Sequence, residues 1–194
     1  MRDQETHGPD RPGSRDNLKR IAVVGTSCSG KTTLARRLAG ALGAAHIELD
    51  AIHWKPNWEL PSIEEFRTLV TEAVSGERWV ADGNYGRVRD IVWGRATHVV
   101  WLNYPFLTVL RRALARTLRR IVTQEKVCGD NRESFRASFL HRDGIPWWVV
   151  RSHHARQERY ADALRTDGFP HLSVIQLRNQ READALIHKL EENT

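Results

Sequence analysis

The stretch that most restricts this chain is Gly25-Thr26-Ser27-Cys28-Ser29-Gly30-Lys31-Thr32. A glycine, four residues, a second glycine, a lysine and a hydroxyl residue follow the apolar run Ile21-Ala22-Val23-Val24 and precede Thr33 and the helix-forming Leu34 to Leu42. Strand, glycine loop and helix in that order are the setting in which this spacing forms a phosphate-binding loop. The physics is anion capture. Glycines let the backbone curl so that successive N–H groups point inward, at the positive end of a helix starting near Lys31. The expected nucleotide-binding residues are Gly25, Ser27, Cys28, Ser29, Gly30, Lys31, Thr32 and Thr33. Lys31 would reach the β- and γ-phosphates of a nucleoside triphosphate, and the Thr32 hydroxyl would ligate Mg²⁺. A glycine turn that merely joined strand to helix would need neither the lysine nor the hydroxyl after it.

A chain of 194 residues suits one well-buried domain. Residues 1–18 mix Gly8, Pro9, Pro12, Gly13 and Ser14 with alternating charges and read as a disordered tail, so a single domain is expected over 19–194. No apolar run approaches the roughly 20 residues needed to span a bilayer. The first residues, Met1 to His7, lack the apolar segment of a signal peptide, and a cytoplasmic protein with no membrane association is expected. Two cysteines, Cys28 and Cys128, make no disulfide framework. The net charge of +6 would permit a nucleic-acid partner but suits a phosphate-binding enzyme equally. With no helix-turn-helix evident, nucleic acid is not the favoured partner.

Further along, Gly43 stops the first helix, and His46-Ile47-Glu48-Leu49 reads as a strand delivering Asp50 to its end. An aromatic, turn-prone loop follows from Ile52 to Trp58. Ser62 and Glu65 form the pattern of a capping box, ahead of a buried stripe of Ile63, Phe66, Leu69, Val70 and Val74. Trp79-Val80-Ala81 is a third strand leading into Asp82-Gly83-Asn84-Tyr85, Thr97 to Leu102 a fourth, and Leu172 to Leu177 a fifth. Asn179 and Glu182 cap a last helix whose inner stripe is Ala183, Leu186, Ile187 and Leu190. Strands alternating with helices imply an α/β fold, an open parallel sheet with ligands at the carboxyl ends of its strands. Gly25, Asp50 and Asp82 all fall at such ends.

Between Pro105 and Val122 a helix is expected with Arg112, Arg116, Arg119 and Arg120 on one face. Leu107, Leu110, Leu114, Leu118 and Ile121 lie on the other, which would pack inward and leave a row of guanidinium groups. The row either clamps phosphates or is a solvated face.

The P-loop, Leu49-Asp50-Ala51-Ile52-His53-Trp54-Lys55-Pro56, Asp82-Gly83-Asn84-Tyr85 with Arg87, and the arginine helix after Asn103-Tyr104-Pro105 together resemble a known family. They are similar to the adenylate-kinase-like P-loop kinases, within them the bacterial topology modulation or adenylate-kinase-related proteins. The resemblance implies a three-layer P-loop fold, a five-stranded parallel sheet with a short acceptor-side insertion at 51–77 and a lid-like segment at 120–140. It implies transfer of the γ-phosphate of Mg-ATP to a small-molecule acceptor, a nucleotide among the candidates. Plain ATP hydrolysis and a nucleotide-dependent, DNA-associated regulatory role are the alternatives. Asp82 looks like the aspartate that assists Thr32 at Mg²⁺, or is a turn residue before Gly83. Asp50 could orient or deprotonate an acceptor hydroxyl, assist Mg²⁺, or cap a helix. Arg87, Arg116 and Arg119 are the arginines expected on phosphates, with Lys31, Asp50 and Asp82 completing the catalytic set. Asn84-Tyr85-Gly86 ahead of Arg87 departs from the Phe-Pro-Arg of true adenylate kinases. His53, Trp54 and Trp58 either stack on the acceptor or simply pack. Cys28 is either a reactive thiol or one of the loop's variable positions.

Overall fold

The computed structural model describes residues 18–55, 59–123, 126–127, 131–132, 145–165 and 168–192. The strands are β1 (Arg20–Gly25), β2 (Ala45–Glu48), β3 (Trp79–Asp82), β4 (His98–Leu102), the short β5 (Lys126–Val127) and β6 (Asn131–Arg132), and β7 (Ser173–Leu177). The helices are α1 (Lys31–Leu42), α2 (Leu49–His53), α3 (Ile63–Ala73), α4 (Arg89–Arg95), α5 (Phe106–Thr123), α6 (Ile145–Arg165) and α7 (Gln180–Glu192). Five strands form one sheet in the order β2-β3-β1-β4-β7, with every pair parallel. β5 and β6 pair antiparallel.

Alternation along β1 builds a core on each face of the sheet. Ile21 and Val23 join Leu34, Leu38 and Leu42 of α1, Val109 and Ala113 of α5, and Ala183, Ile187 and Leu190 of α7. Ala22 and Val24 face the other way, onto Phe66, Val70 and Val74, Val92 and Trp93 of α4, and Tyr160 of α6. Central parallel strands covered on both faces read as unbroken apolar runs, as β1 and β4 do. The expected α/β architecture is therefore present. Leu18, at 1 % exposure, already belongs to the core, one residue ahead of the expected boundary. Residues 1–17 and much of the expected lid segment at 120–140 lie outside the described residues.

Several expectations are corrected. β2 ends at Glu48, and Leu49–His53 is a single helical turn, so Asp50 lies in a helix rather than at a strand end. The reason is Leu49, which turns inward beneath Gly83; a Cβ on Gly83 would stand 2.7 Å from that of Leu49. In α3 only Phe66 and Val70 are buried, with Val74 at the C-cap, while Ile63 and Leu69 face outward. The Ser62 hydroxyl accepts from the Glu65 N–H at 3.1 Å, but the Glu65 carboxylate accepts from the Lys55 ammonium at 2.8 Å instead of closing the capping box. Asn179 does cap α7, accepting from the Glu182 N–H at 3.0 Å.

α5 carries the largest correction. Its inner stripe is Val109, Ala113 and Thr117, whereas Leu107 at 69 % and Leu118 at 58 % exposure face outward with Leu114. Small side chains let the helix approach the glycine loop more closely than leucines would. Arg112 and Arg116, flanking this stripe, are half-buried, and Arg119 is exposed.

Burial holds the rings of His98 and His153 below the ordinary histidine pKa, and the neighbouring His154 adds to the effect at His153. The unfolded chain thus binds protons first as pH falls. The stability these rings contribute is complete above about pH 6.5 and is lost as the pH drops below that toward their folded-state values. Urea unfolding is expected to show stability declining from about pH 7 to about pH 5, by at most about 1.4 kcal/mol per pH unit for each ring. His153→Leu should make that decline shallower.

Candidate active site

The glycine loop between β1 and α1 has the backbone its sequence demands. Gly25 adopts φ 155°, Cys28 φ 65°, and Gly30, the N-cap of α1, φ 96°. At Gly25 a side chain is excluded by space as well: a Cβ would stand 2.8 Å from Ser29 Oγ and 2.9 Å from the Leu102 carbonyl oxygen. The loop closes on itself through Ser29 N–H donating to Thr26 O at 3.2 Å. Its first carbonyl, Gly25 O, accepts from the Asn84 amide at 2.6 Å. Ser27 and Cys28 are half-buried, Ser29 is buried and Thr33 is exposed.

Lys31 folds back over the loop and donates to Thr26 O at 3.2 Å. Burial pushes its pKa below the usual lysine value, opposed by the carboxylates of Asp50 and Asp82; the Arg156 guanidinium of α6 pushes in the same direction as burial. The lysine, the two expected carboxylates and an unforeseen arginine thus share one electrostatic neighbourhood. A polyphosphate entering it would separate Lys31 from Arg156 and turn a repulsion into two attractions.

Thr32 donates from Oγ1 to Asp82 Oδ2 at 2.6 Å, and His46 Nε2 meets Asp82 Oδ1 at 2.8 Å. Asp82, at the last position of β3, is 3 % exposed. A hydroxyl and a carboxylate oxygen at the start of a P-loop helix are hard donors of the kind Mg²⁺ takes, and Mg²⁺ fills its remaining positions with water and phosphate oxygens. The pair fits the metal on the chemistry of its donors. Among the described residues no group of three His, Cys, Asp or Glu side chains forms a fuller metal cage.

Asp50 is brought to the same edge. Its Oδ1 accepts from the Tyr85 hydroxyl at 2.6 Å. The Tyr85 ring in turn lies tilted against the His53 ring, centroids 4.4 Å apart, and His53 also contacts Trp54 and Phe66 at 5.1 and 4.8 Å. His53 and Trp54 are thus packed in an aromatic cluster, and Trp58 lies outside the described residues. Burial lowers the His53 pKa, against the raising effect of Asp50 and with a smaller lowering from Arg87. That influence puts Arg87 on the Asp50 side of the site, although its side chain is exposed.

The arginine row divides. Arg112 donates to Ser29 O at 2.7 Å and to Gln180 Oε1 at 2.8 Å, bracing the loop from outside. Arg116 has a buried Nε without a hydrogen-bond partner. Arg119 is exposed, and the side chain of Arg120 lies outside the described residues. Beside Arg112, a cavity of about 240 Å³ opens between Gly30, Thr33, Arg37, Tyr104 and Gln180.

Sequence reasoning missed His46, Arg156, Tyr160 and Gln180. Tyr160 donates to Asn84 Oδ1 at 2.5 Å and Gln157 to Asn103 Oδ1 at 2.5 Å, so one face of α6 is fastened to the ends of β3 and β4. Nothing local in the sequence marks these residues; each is recognised only by what lies across from it.

No sequence-family profile matches this chain, and no curated protein matches it in sequence. Solved structures do resemble it. Shikimate kinase from Acinetobacter baumannii, in complex with shikimate, superposes with a TM-score of 0.54 at 20 % identity over 91 % of this chain and 92 % of the other. Shikimate kinase from Bacteroides thetaiotaomicron gives 0.52 at 16 % identity, over 90 % and 97 %. A sugar kinase from a Janibacter species gives 0.50 at 20 % identity, over 89 % and 91 %.

Gly25→Ala is expected to cost about 1–3 kcal/mol of stability through strain at a left-handed position with no room for a methyl group. It should also shrink the rise in melting temperature that ATP produces, measured by thermal unfolding with and without the nucleotide. What this chain shares with those three proteins is the three-layer α/β fold of the P-loop kinases.

Proposed function

We infer that the protein is an ATP-dependent phosphotransferase acting on the hydroxyl of a small acceptor. The observation that carries this reading is the meeting, at one sheet edge, of the P-loop lysine with two differently held carboxylates. Asp82 is bonded to the loop's own threonine, and Asp50 is bonded to Tyr85 on the opposite side. A site for nucleotide binding alone needs the first; the second suits an acceptor.

In this reading the loop amides and Lys31 hold the β- and γ-phosphates, with Lys31 exchanging Thr26 O for phosphate oxygen. The cavity beside Arg112 takes the base and ribose, where the Arg112 guanidinium and the Gln180 amide offer a planar face and a hydrogen-bonding edge. Thr32 and Asp82 would hold Mg²⁺, which would supply neutralisation of the phosphate charge. As the acceptor oxygen bonds to the γ-phosphorus and the bridge to the β-phosphate breaks, Asp50 takes the acceptor's proton. Its Tyr85 hydrogen bond keeps the carboxylate in one orientation. Arg156, whose charge is felt at Lys31, and Arg116, whose buried Nε has no hydrogen-bond partner, are the cations assigned in this reading to charge on the transferring group. The three kinases that share the fold act on small molecules by name, one of them bound to shikimate, which supports a small hydroxylated acceptor over a macromolecule. Among the described residues no helix is long and apolar enough to cross a membrane.

The test is ADP release by the full chain across sugars, sugar acids, nucleosides and nucleoside monophosphates, with a no-acceptor control. Stimulation by an acceptor is expected; release that none of them stimulates would make the protein an ATPase. Lys31→Ala should abolish turnover while leaving far-UV circular dichroism unchanged. Asp50→Asn should lower kcat by about 10²–10⁴-fold with ATP affinity retained. Full turnover in either variant would overturn the assignment of that residue.

A further inference from the structure

The Asp82 carboxylate has two oxygens, and the reading above uses only Oδ2. Oδ1 is held at 2.8 Å by His46 Nε2. An ionised carboxylate only accepts, so Nε2 carries the proton of this bond. His46 stands on β2, which runs parallel to β3 with Glu48 registered directly beside Asp82. Side chains two apart on a strand share a face, so His46 and Glu48 lie on one side of β2. Three carboxylates, Glu48, Asp50 and Asp82, crowd this edge. The crowding is visible at Glu48, whose carboxyl is pushed up by burial first and then by Asp82 and Asp50, while His46 draws it down.

With one oxygen bonded to α1 and the other to β2, Asp82 cannot rotate without breaking a hydrogen bond. At 3 % exposure there is no bulk water at hand to replace the one lost. Had His46 been absent, Oδ1 would be free to swing toward Lys31 or to take the Thr32 hydroxyl itself.

We propose that His46 is a positioning residue for the nucleotide's Mg²⁺: by holding Oδ1 it keeps Oδ2 facing the Thr32 hydroxyl, where threonine and carboxylate meet the metal. This rests on the reading of Thr32 and Asp82 as the metal side of the site. A partner behind a metal-site carboxylate governs metal affinity, typically by about 10–100-fold, and leaves metal-free contacts alone.

The experiment is a titration of the full chain with a fluorescent N-methylanthraniloyl ATP, with Mg²⁺ and with EDTA, alongside the melting temperature of each variant without nucleotide. The wild type should bind more tightly with Mg²⁺. His46→Ala should lose about 10–100-fold of that tightening while its affinity in EDTA stays at the wild-type value. His46→Gln, whose amide nitrogen donates from nearly the same place as Nε2, should regain most of it. Should His46→Ala melt too low to assay, His46→Asn, polar but a methylene short of Asp82, replaces it in the comparison. Full Mg²⁺ tightening in the alanine or asparagine variant overturns the proposal. So does an equal loss with and without Mg²⁺, which is what a merely structural role gives, and so does failure of His46→Gln to recover. Asp82→Asn separates the two layers. If it loses the tightening and His46→Ala does not, only this inference falls; if Asp82→Asn keeps it, the metal reading of Asp82 has failed as well.

Discussion

A carboxylate removed from water must find its compensation inside the protein, and Asp82 draws its compensation from two directions. Thr32 reaches it from the first turn of α1 and His46 from β2, while Lys31 adds its charge from the loop. These contacts join the glycine loop, the third strand and the sheet's outer strand into one unit. Because the hydrogen bonds are specific in direction, they set how α1 sits over the sheet and therefore where its N–H groups point. The glycine loop is in this sense held from below by a buried charge as much as it is shaped by its glycines.

The same economy of space explains α5. Arg112 can bond the Ser29 carbonyl only if its helix lies close to the loop, and close approach requires small residues inward, here Val109, Ala113 and Thr117. The leucines are displaced to the outer side. A guanidinium and a leucine are both long, and the one that touches the loop is the one whose hydrogen bonds have a carbonyl and an amide to meet. Arg116, one turn further on, is carried half-buried along the same edge with its Nε still without a partner, which suits a group that binds charge arriving from outside the chain.

How much of this was legible follows from the range over which each signal acts. The glycine loop, the two buried central strands and the Asn179 cap are decided within a few residues, and their patterns carry straight into the structure. Asp50 was expected at a strand end because Ile47 and Leu49 read as strand; what ends β2 early is the pull of Leu49 into the space beneath Gly83, a residue far along the chain. On α5 two apolar stripes compete, and choosing between them requires knowing that α6 and the loop lie alongside. His46 and Tyr160 bond to Asp82 and Asn84 because β2 and α6 flank β3, and strand order is not written at any one position. The missed residues are all of this kind: their function depends on a neighbour brought in by topology.

One amide makes such a connection between the glycine loop and α6. Asn84 donates to the first carbonyl of the glycine loop and accepts from Tyr160. Tyr160 lies 76 residues beyond Asn84. During synthesis at about 5–20 residues per second, β1, β2, β3 and α1 emerge first and the Asn84 amide waits ~4–15 s for the hydroxyl that orients it. The glycine loop therefore reaches its finished shape only once Tyr160 has emerged, so that a chain interrupted before that residue carries the motif without the hydroxyl that orients its supporting amide.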